Sequence, residues 1–592
     1  MQTEWNFDAL LKTDFEKERK EIEKAHLSFR DKWKNNSDYL EKPEVLKKAL
    51  DEYNALVENY FYGGSEGYYY YLKQKQEEDN VEIRAKYGKI SDFFTRLGNE
   101  ITFFMLNLGK IPKEKQKKFL ESNLLKDYKN LLKILFGNAK YHLKEGEEKI
   151  IVLKSKPSYE LWTKMISSLL TKETRMVLDE NEKKVEKTYP EMITLMMNQN
   201  KKIRDLSAKA FNEILEKYSD IAEFELNAIL ENKKIDDELR GFSRADESRH
   251  KEDLIETEIV DALVKSVSKK GFEISRKFYE LKSKLLNLKK LKYYERNIEY
   301  GKLERDFSYD SSVELVKKVF YALDKKFGNI FESYIKNRQI DVFPKKGKSG
   351  GAFCQNWSVK HPTYILLNHT NKFNDVRTLA HELGHGINNE LMKEKQKAIN
   401  FDTPKSTAEV ASTFMEDFVF QELLKKVNEE EKLIILFQKI EDDIQTIVRQ
   451  IALYNFEKEL HETYRKENYL SKKRIGQLFR KNMENYLGEF VDCSGCENWW
   501  IYWRHIRYYF YVYSYASGLL ISKAMQKKVK ENPKFIEKVK EFLSAGTSDY
   551  PKNIFLKMGI DISDSKFWEK GLSEVENLFN ETEVLAKKLG KI

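Results

Sequence analysis

Leu379-Ala380-His381-Glu382-Leu383-Gly384-His385-Gly386-Ile387-Asn388-Asn389-Glu390-Leu391 contains the pattern H-E-x-x-H. On a helix, residues four apart project from one face about a turn apart, so His381 and His385 can reach a single metal ion with Glu382 beside it. The apolar stripe Val376, Leu379, Ala380 and Leu383 predicts that helix, with Asn374 or Asp375 placed to cap its start. The competing reading is two satisfied histidines on a partly buried helix.

Two histidines do not complete a catalytic zinc site, which takes three protein ligands and leaves a fourth position to water. The other seven histidines are scattered, and Cys354 precedes the helix on a predicted strand. A carboxylate from the next helix is the better third ligand. Glu409, in Ser406-Thr407-Ala408-Glu409-Val410-Ala411-Ser412, has small neighbours that let its helix pack closely on the first. Glu416, two turns further on, is placed to accept a hydrogen bond from a ligand histidine, or else to be a solvated helix acid.

Outside this region the chain is lysine- and glutamate-rich. Its 105 basic residues exceed its 96 acidic ones by only nine, and the two sets alternate along helical segments. That pattern is a solvated surface, not a stripe for nucleic acid. Met1 to Lys20 lacks the apolar core of a secretory signal, and no run is long enough to cross a bilayer. With only three cysteines, Cys354, Cys493 and Cys496, a cytoplasmic protein that binds no membrane is expected.

Nine prolines and 25 glycines in 592 residues predict a mainly α fold. Residues 1–188 read as helical throughout, without a catalytic constellation, and are expected to form a wall or lid of a cleft. Residues 189–592 are expected to form the catalytic domain. Within it, Ala352-Phe353-Cys354 and Thr363 to Asn368 read as short strands of a small sheet beside the metal helix. An exposed edge there can bind an extended peptide through its backbone. Ile501 to Leu520 reads as one helix crowded with aromatic residues.

The H-E-x-x-H helix followed by the Glu409 to Glu416 segment resembles the zinc oligopeptidases that include thimet oligopeptidase, neurolysin and oligoendopeptidase F. The bacterial oligoendopeptidase F branch is the nearest in pattern. Leu239-Arg240-Gly241-Phe242, Phe278-Tyr279-Glu280-Leu281-Lys282, Asp375-Val376-Arg377-Thr378-Leu379-Ala380 and Tyr511-Val512-Tyr513-Ser514-Tyr515-Ala516-Ser517-Gly518 resemble that branch in the same order. The likeness is strong over the last two-thirds and weak over the first third. It implies an elongated helical zincin-type metallopeptidase with a deep substrate cleft, one Zn2+ per chain, His381, His385 and Glu409 as ligands, and Glu382 as catalytic base. It also implies that a late histidine and tyrosines hold substrate and oxyanion. His505, Tyr508 and Tyr515 share one helical face and are preferred slightly over Tyr509 and Tyr513 on another. Asn388 departs from the pattern, since many relatives carry histidine there.

The expected activity is hydrolysis of internal bonds in short unstructured peptides. A zinc exopeptidase is the alternative, with Arg504 or Arg507 capturing a terminal carboxylate. An inactive helical peptide-binding protein is the alternative from another class. Cys493-Ser494-Gly495-Cys496 has no second pair and no surrounding thioredoxin-like pattern, so a packing role is expected. Nothing in the sequence sets an oligomeric state.

Overall fold

The computed structural model describes residues 2–60, 63–303 and 305–592. Helices dominate, and the sheets among the described residues have two or three strands. The chain divides into two compact units. One comprises Met1–Lys140, Glu304–Lys426 and Met525–Ile560; the other comprises Tyr141–Leu303, Val427–Ala524 and Asp561–Ile592.

In the first unit, the amphipathic helices Phe15–Trp33, Pro43–Tyr60, Thr102–Gly109 and Lys129–Asn138 contribute to a core containing Phe29, Trp33, Leu50, Phe104 and Leu132. A three-stranded sheet lies beside the metal-motif helix. Its centre, Tyr364–Leu366, pairs parallel with Ile340–Asp341 and antiparallel with Phe353–Gln355, Cys354 facing Ile365. All three central residues are buried, whereas Phe353–Gln355 is an edge. Near the start of the chain, Trp5 pins itself to this sheet by donating its indole N–H to the Ile365 carbonyl at 2.8 Å.

The metal-motif helix runs Phe373–Lys395 and buries Val376, Leu379, Ala380, Leu383, Ile387 and Leu391. The cap comes from inside its first turn. Asp375 accepts the N–H groups of Thr370 at 2.7 Å and Lys372 at 2.8 Å, donors that would otherwise be orphaned. The next helix, Val410–Leu424, packs against this one with backbone nearly touching backbone. Gly384 makes that approach possible, because a Cβ there would stand 2.6 Å from Ser412 Cα and 2.7 Å from the Ala411 carbonyl oxygen.

The second unit is built on Ser219–Arg240, Phe272–Leu285, Glu429–Asp443, Arg449–Glu467, Lys472–Leu487 and Ser565–Lys588. Two expectations fail in it. Residues 174–188, read as part of a helical run, form an antiparallel hairpin of Thr174–Leu178 and Lys184–Thr188. Its turn is closed by Asp179, whose Oδ1 accepts the N–H groups of Asn181 and Lys183, and Glu182 takes the left-handed conformation with φ +57. The continuous helix expected over 501–520 is broken. Arg504–Arg507 forms a single 3-10 turn, Tyr509 and Phe510 are left-handed with φ of +48 and +55, and an α-helix begins only at Tyr513.

Candidate metal centre

Helical spacing brings the rings of His381 and His385 to 5.1 Å between centroids. Close packing of the second helix brings Glu409, the residue before its first turn, up to both. Its Oε2 lies 3.3 Å from His381 Nε2 and 3.6 Å from His385 Nε2. Ligand atoms held about 2.0–2.2 Å from a tetrahedral ion stand about 3.4 Å apart, so this donor set has the right spacing and chemistry for a divalent metal. Ser412 helps to aim the carboxylate, donating its hydroxyl to Glu409 Oε2 at 3.0 Å.

Behind His381 stands Glu416, with Oε2 at 3.2 Å from Nδ1. Glu416 is itself held by Arg377, whose Nε and Nη2 donate to Oε1 at 2.9 and 2.6 Å. A carboxylate on Nδ1 keeps the proton there in the neutral ring, so that the Nε2 lone pair is the one left for a metal ion. Arg377 carries no sequence signal as a site residue, since one arginine on a charged helix resembles any other.

The electrostatics follow from burial and pairing. Burial pushes the His381 imidazole down, but the hydrogen bonds to Glu409 and Glu416 outweigh it and lift its pKa to about 10. Burial would raise Glu409, yet both imidazoles more than cancel this and hold its carboxyl far below the usual carboxylate range. Of the two groups that retain a proton on His381, Glu409 is also placed to retain a cation. Burial raises the Glu382 carboxyl, only partly opposed by the two histidines. An acid shifted up in this way is a better proton acceptor than an exposed one.

His381, Glu382, His385 and Glu409 line a cavity of about 420 Å³ together with Ala352, Phe353 and Cys354 of the edge strand region, Asn388, Asn389 and Asp402. Asn388 donates its amide to the Leu543 carbonyl at 2.6 Å, tying the metal-motif helix to a neighbouring segment of the same unit. Cys354 accepts a hydrogen bond from Asn389.

His505, Tyr508 and Tyr515 lie in the second unit. Tyr515 meets His505 edge-on, its hydroxyl 3.4 Å from Nε2. Tyr511, which the helical-face argument passed over, stacks parallel on His505 with centroids 5.9 Å apart. Tyr508 is 47% exposed. Tyr509 and Tyr513 point into the interior, bonded to the Ile229 carbonyl and Asp253 respectively. Arg507, a candidate for terminal-carboxylate capture, is buried and paired in two hydrogen bonds with Glu225. Cys493 and Cys496 are buried.

Residues 194–574 match the model of Peptidase family M3, and residues 107–170 match the N-terminal model described as Oligopeptidase F. Among curated proteins, an oligoendopeptidase F homolog of Lactococcus lactis subsp. lactis is 25% identical over 88% of this chain and 87% of its own length. Oligopeptidase PepF of Bacillus subtilis is 24% identical over 86% of this chain and 78% of its own. Among solved structures, a putative peptidase from Chlamydophila abortus superposes with a TM-score of 0.85 at 21% identity, covering 98% of both chains. The oligoendopeptidase-F of Enterococcus faecium superposes at 0.71 and 19% identity, covering 97% of this chain and 99% of its own. The chain belongs to Peptidase family M3 and is a metalloendopeptidase.

Proposed function

We propose that the chain hydrolyses internal bonds of short, unstructured peptides with one zinc ion held by His381, His385 and Glu409. The observation that carries this reading is the convergence of two imidazoles and one carboxylate at tetrahedral spacing, with a buried acid beside them. A bound zinc ion supplies Lewis acidity and lowers the pKa of water to about 7.

The protein groups then have distinct tasks. Glu382 accepts the proton of the attacking water and returns it to the departing amine. Glu416, anchored by Arg377, keeps His381 oriented. The edge strand Phe353–Gln355 offers backbone hydrogen bonds to an extended peptide, a conformation that a folded protein domain does not present. The resemblance to the oligopeptidases assigns substrate contact to His505, Tyr508 and Tyr515, and donors of that kind to a developing oxyanion are each worth about 3 kcal/mol at comparable sites.

An exopeptidase reading is weakened by Arg507, whose guanidinium is already committed to Glu225. A cytoplasmic location fits a chain whose three cysteines are free and among whose described residues no helix is long and apolar enough to cross a membrane.

The test is cleavage of a quenched fluorescent peptide blocked at both ends. Turnover is expected, with loss on chelation and recovery with zinc. Glu382→Gln is expected to abolish turnover while leaving zinc bound; full activity in that variant would remove Glu382 from its role.

A further inference from the structure

The break at Tyr509 and Phe510 is a costly piece of backbone. Left-handed φ values in two consecutive bulky residues are disfavoured, because Cβ crowds the carbonyl oxygen, and such strain persists only where the surroundings impose it. Here they do so from several sides. The Tyr509 hydroxyl donates to the Ile229 carbonyl at 3.1 Å, the Tyr159 hydroxyl donates to the Arg507 carbonyl, and Arg507 is clamped by Glu225. A backbone N–H of the strained pair itself is taken by Glu457, whose Oε1 accepts from Phe510 at 2.8 Å.

Glu457 is an expensive residue in its own right. It is fully buried, and among the described residues its Oε2 has no hydrogen-bond partner. A buried carboxyl oxygen left without a partner is not the means by which a fold gains stability. The strained turn lies between His505 and Tyr511, whose rings stack with 5° between their planes while Tyr515 closes edge-on. A continuous helix would leave residues 505 and 511 on different faces.

We propose that Glu457 is a positioning residue, which holds the left-handed Tyr509–Phe510 turn through the Phe510 N–H and thereby sets the geometry of His505, Tyr511 and Tyr515. This deepens the proposed function and rests on its assignment of that segment to substrate contact. Burial raises the Glu457 carboxyl to about 8, opposed in part by the hydrogen bond from the Phe510 N–H and by Lys233 and Arg249, and reinforced by Asp246. The side chain is therefore mostly neutral at neutral pH, and an amide reproduces it.

Two variants separate position from charge. Glu457→Asp keeps the acid but draws it back by a methylene from the Phe510 N–H; Glu457→Gln loses the acid and keeps a carbonyl acceptor. Glu457→Asp is expected to lower kcat by about tenfold to a hundredfold with KM and bound zinc little changed, the scale of a small misplacement of a catalytic group. Glu457→Gln is expected to rescue turnover to within a few-fold of wild type. The opposite order, or equal turnover in the two, overturns the proposal. Should Glu457→Asp not fold, hydrogen exchange of the Phe510 amide in the wild-type chain decides: strong protection is expected, and exchange at the rate of an open loop overturns it. Tyr515→Phe and His505→Gln serve as controls. If both keep wild-type kcat, the assignment of the segment falls and the proposal with it; if both lose kcat while Glu457→Asp does not, only the positioning role falls.

Discussion

His381 donates Nδ1–H to Glu416 at 3.2 Å while its Nε2 stands 3.3 Å from Glu409, so a single imidazole is gripped by carboxylates at both ends. In the proposed function one carboxylate belongs to the donor set for the ion and the other only orients the ring. The difference is testable, because removing the second leaves all three metal-binding groups in place.

Glu416→Gln is expected to weaken zinc affinity by about 10–100-fold, the usual range when such an orienting partner is lost. Arg377→Gln should produce a smaller loss in the same direction, because it frees Glu416 without deleting it. Competition with a fluorescent zinc chelator measures both. Unchanged affinity in Glu416→Gln would remove the orienting role.

Zinc binding should expel a proton. With its pKa lifted to about 10, His381 is protonated at pH 7.5 unless a metal takes its place, so binding releases close to one proton from this site. Calorimetry in buffers of different ionisation enthalpy reads that number directly. The stability consequence follows from the sign of the shift. A histidine whose folded pKa is raised contributes stability that is complete below its unfolded value of about 6.5 and is lost as pH climbs through the folded value. Chelator-treated protein is therefore expected to lose melting temperature between about pH 7 and 10, and zinc-loaded protein to lose less.

Gly384→Ala places a methyl 2.6 Å from Ser412 Cα and 2.7 Å from the Ala411 carbonyl, both backbone atoms that cannot step aside. The two helices must separate, at a cost of about 1–3 kcal/mol. Because Glu409 sits at the start of the displaced helix, zinc occupancy should fall along with melting temperature. Loss of stability with full zinc affinity would mean that Glu409 tolerates the shift.

Arg507→Met leaves the Glu225 carboxylate buried and unpaired, which typically costs about 3–5 kcal/mol. Adding Glu225→Leu removes the stranded charge and should recover part of that loss. Denaturant midpoints of the two single variants and the double variant give the coupling. A double variant no better than Arg507→Met would indicate that packing, not charge pairing, sets the cost.

The metal-motif helix was legible in sequence because everything that specifies it is local: the four-residue spacing of His381 and His385 and the apolar stripe through Leu379, Leu383 and Ile387. The edge strand was legible for a similar reason, with Gly350-Gly351 and Pro362 punctuating short β-forming runs. The break at Tyr509 and Phe510 was not, since no glycine or proline marks it and its causes, Ile229, Glu225 and Glu457, are distant in the chain. The hairpin over 174–188 was hidden by lysine and glutamate, which suit helices and exposed strands equally, with its turn set by one aspartate side chain. Arg377 was invisible as an anchor among 105 basic residues, because its partner lies 39 positions away.

Diffraction from zinc-loaded crystals on either side of the zinc absorption edge tests the central claim most directly. One anomalous peak per chain is expected, within bonding distance of His381 Nε2, His385 Nε2 and a carboxylate oxygen of Glu409. A peak held by other residues, Cys493 and Cys496 included, or one from which Glu409 stands apart, would contradict it.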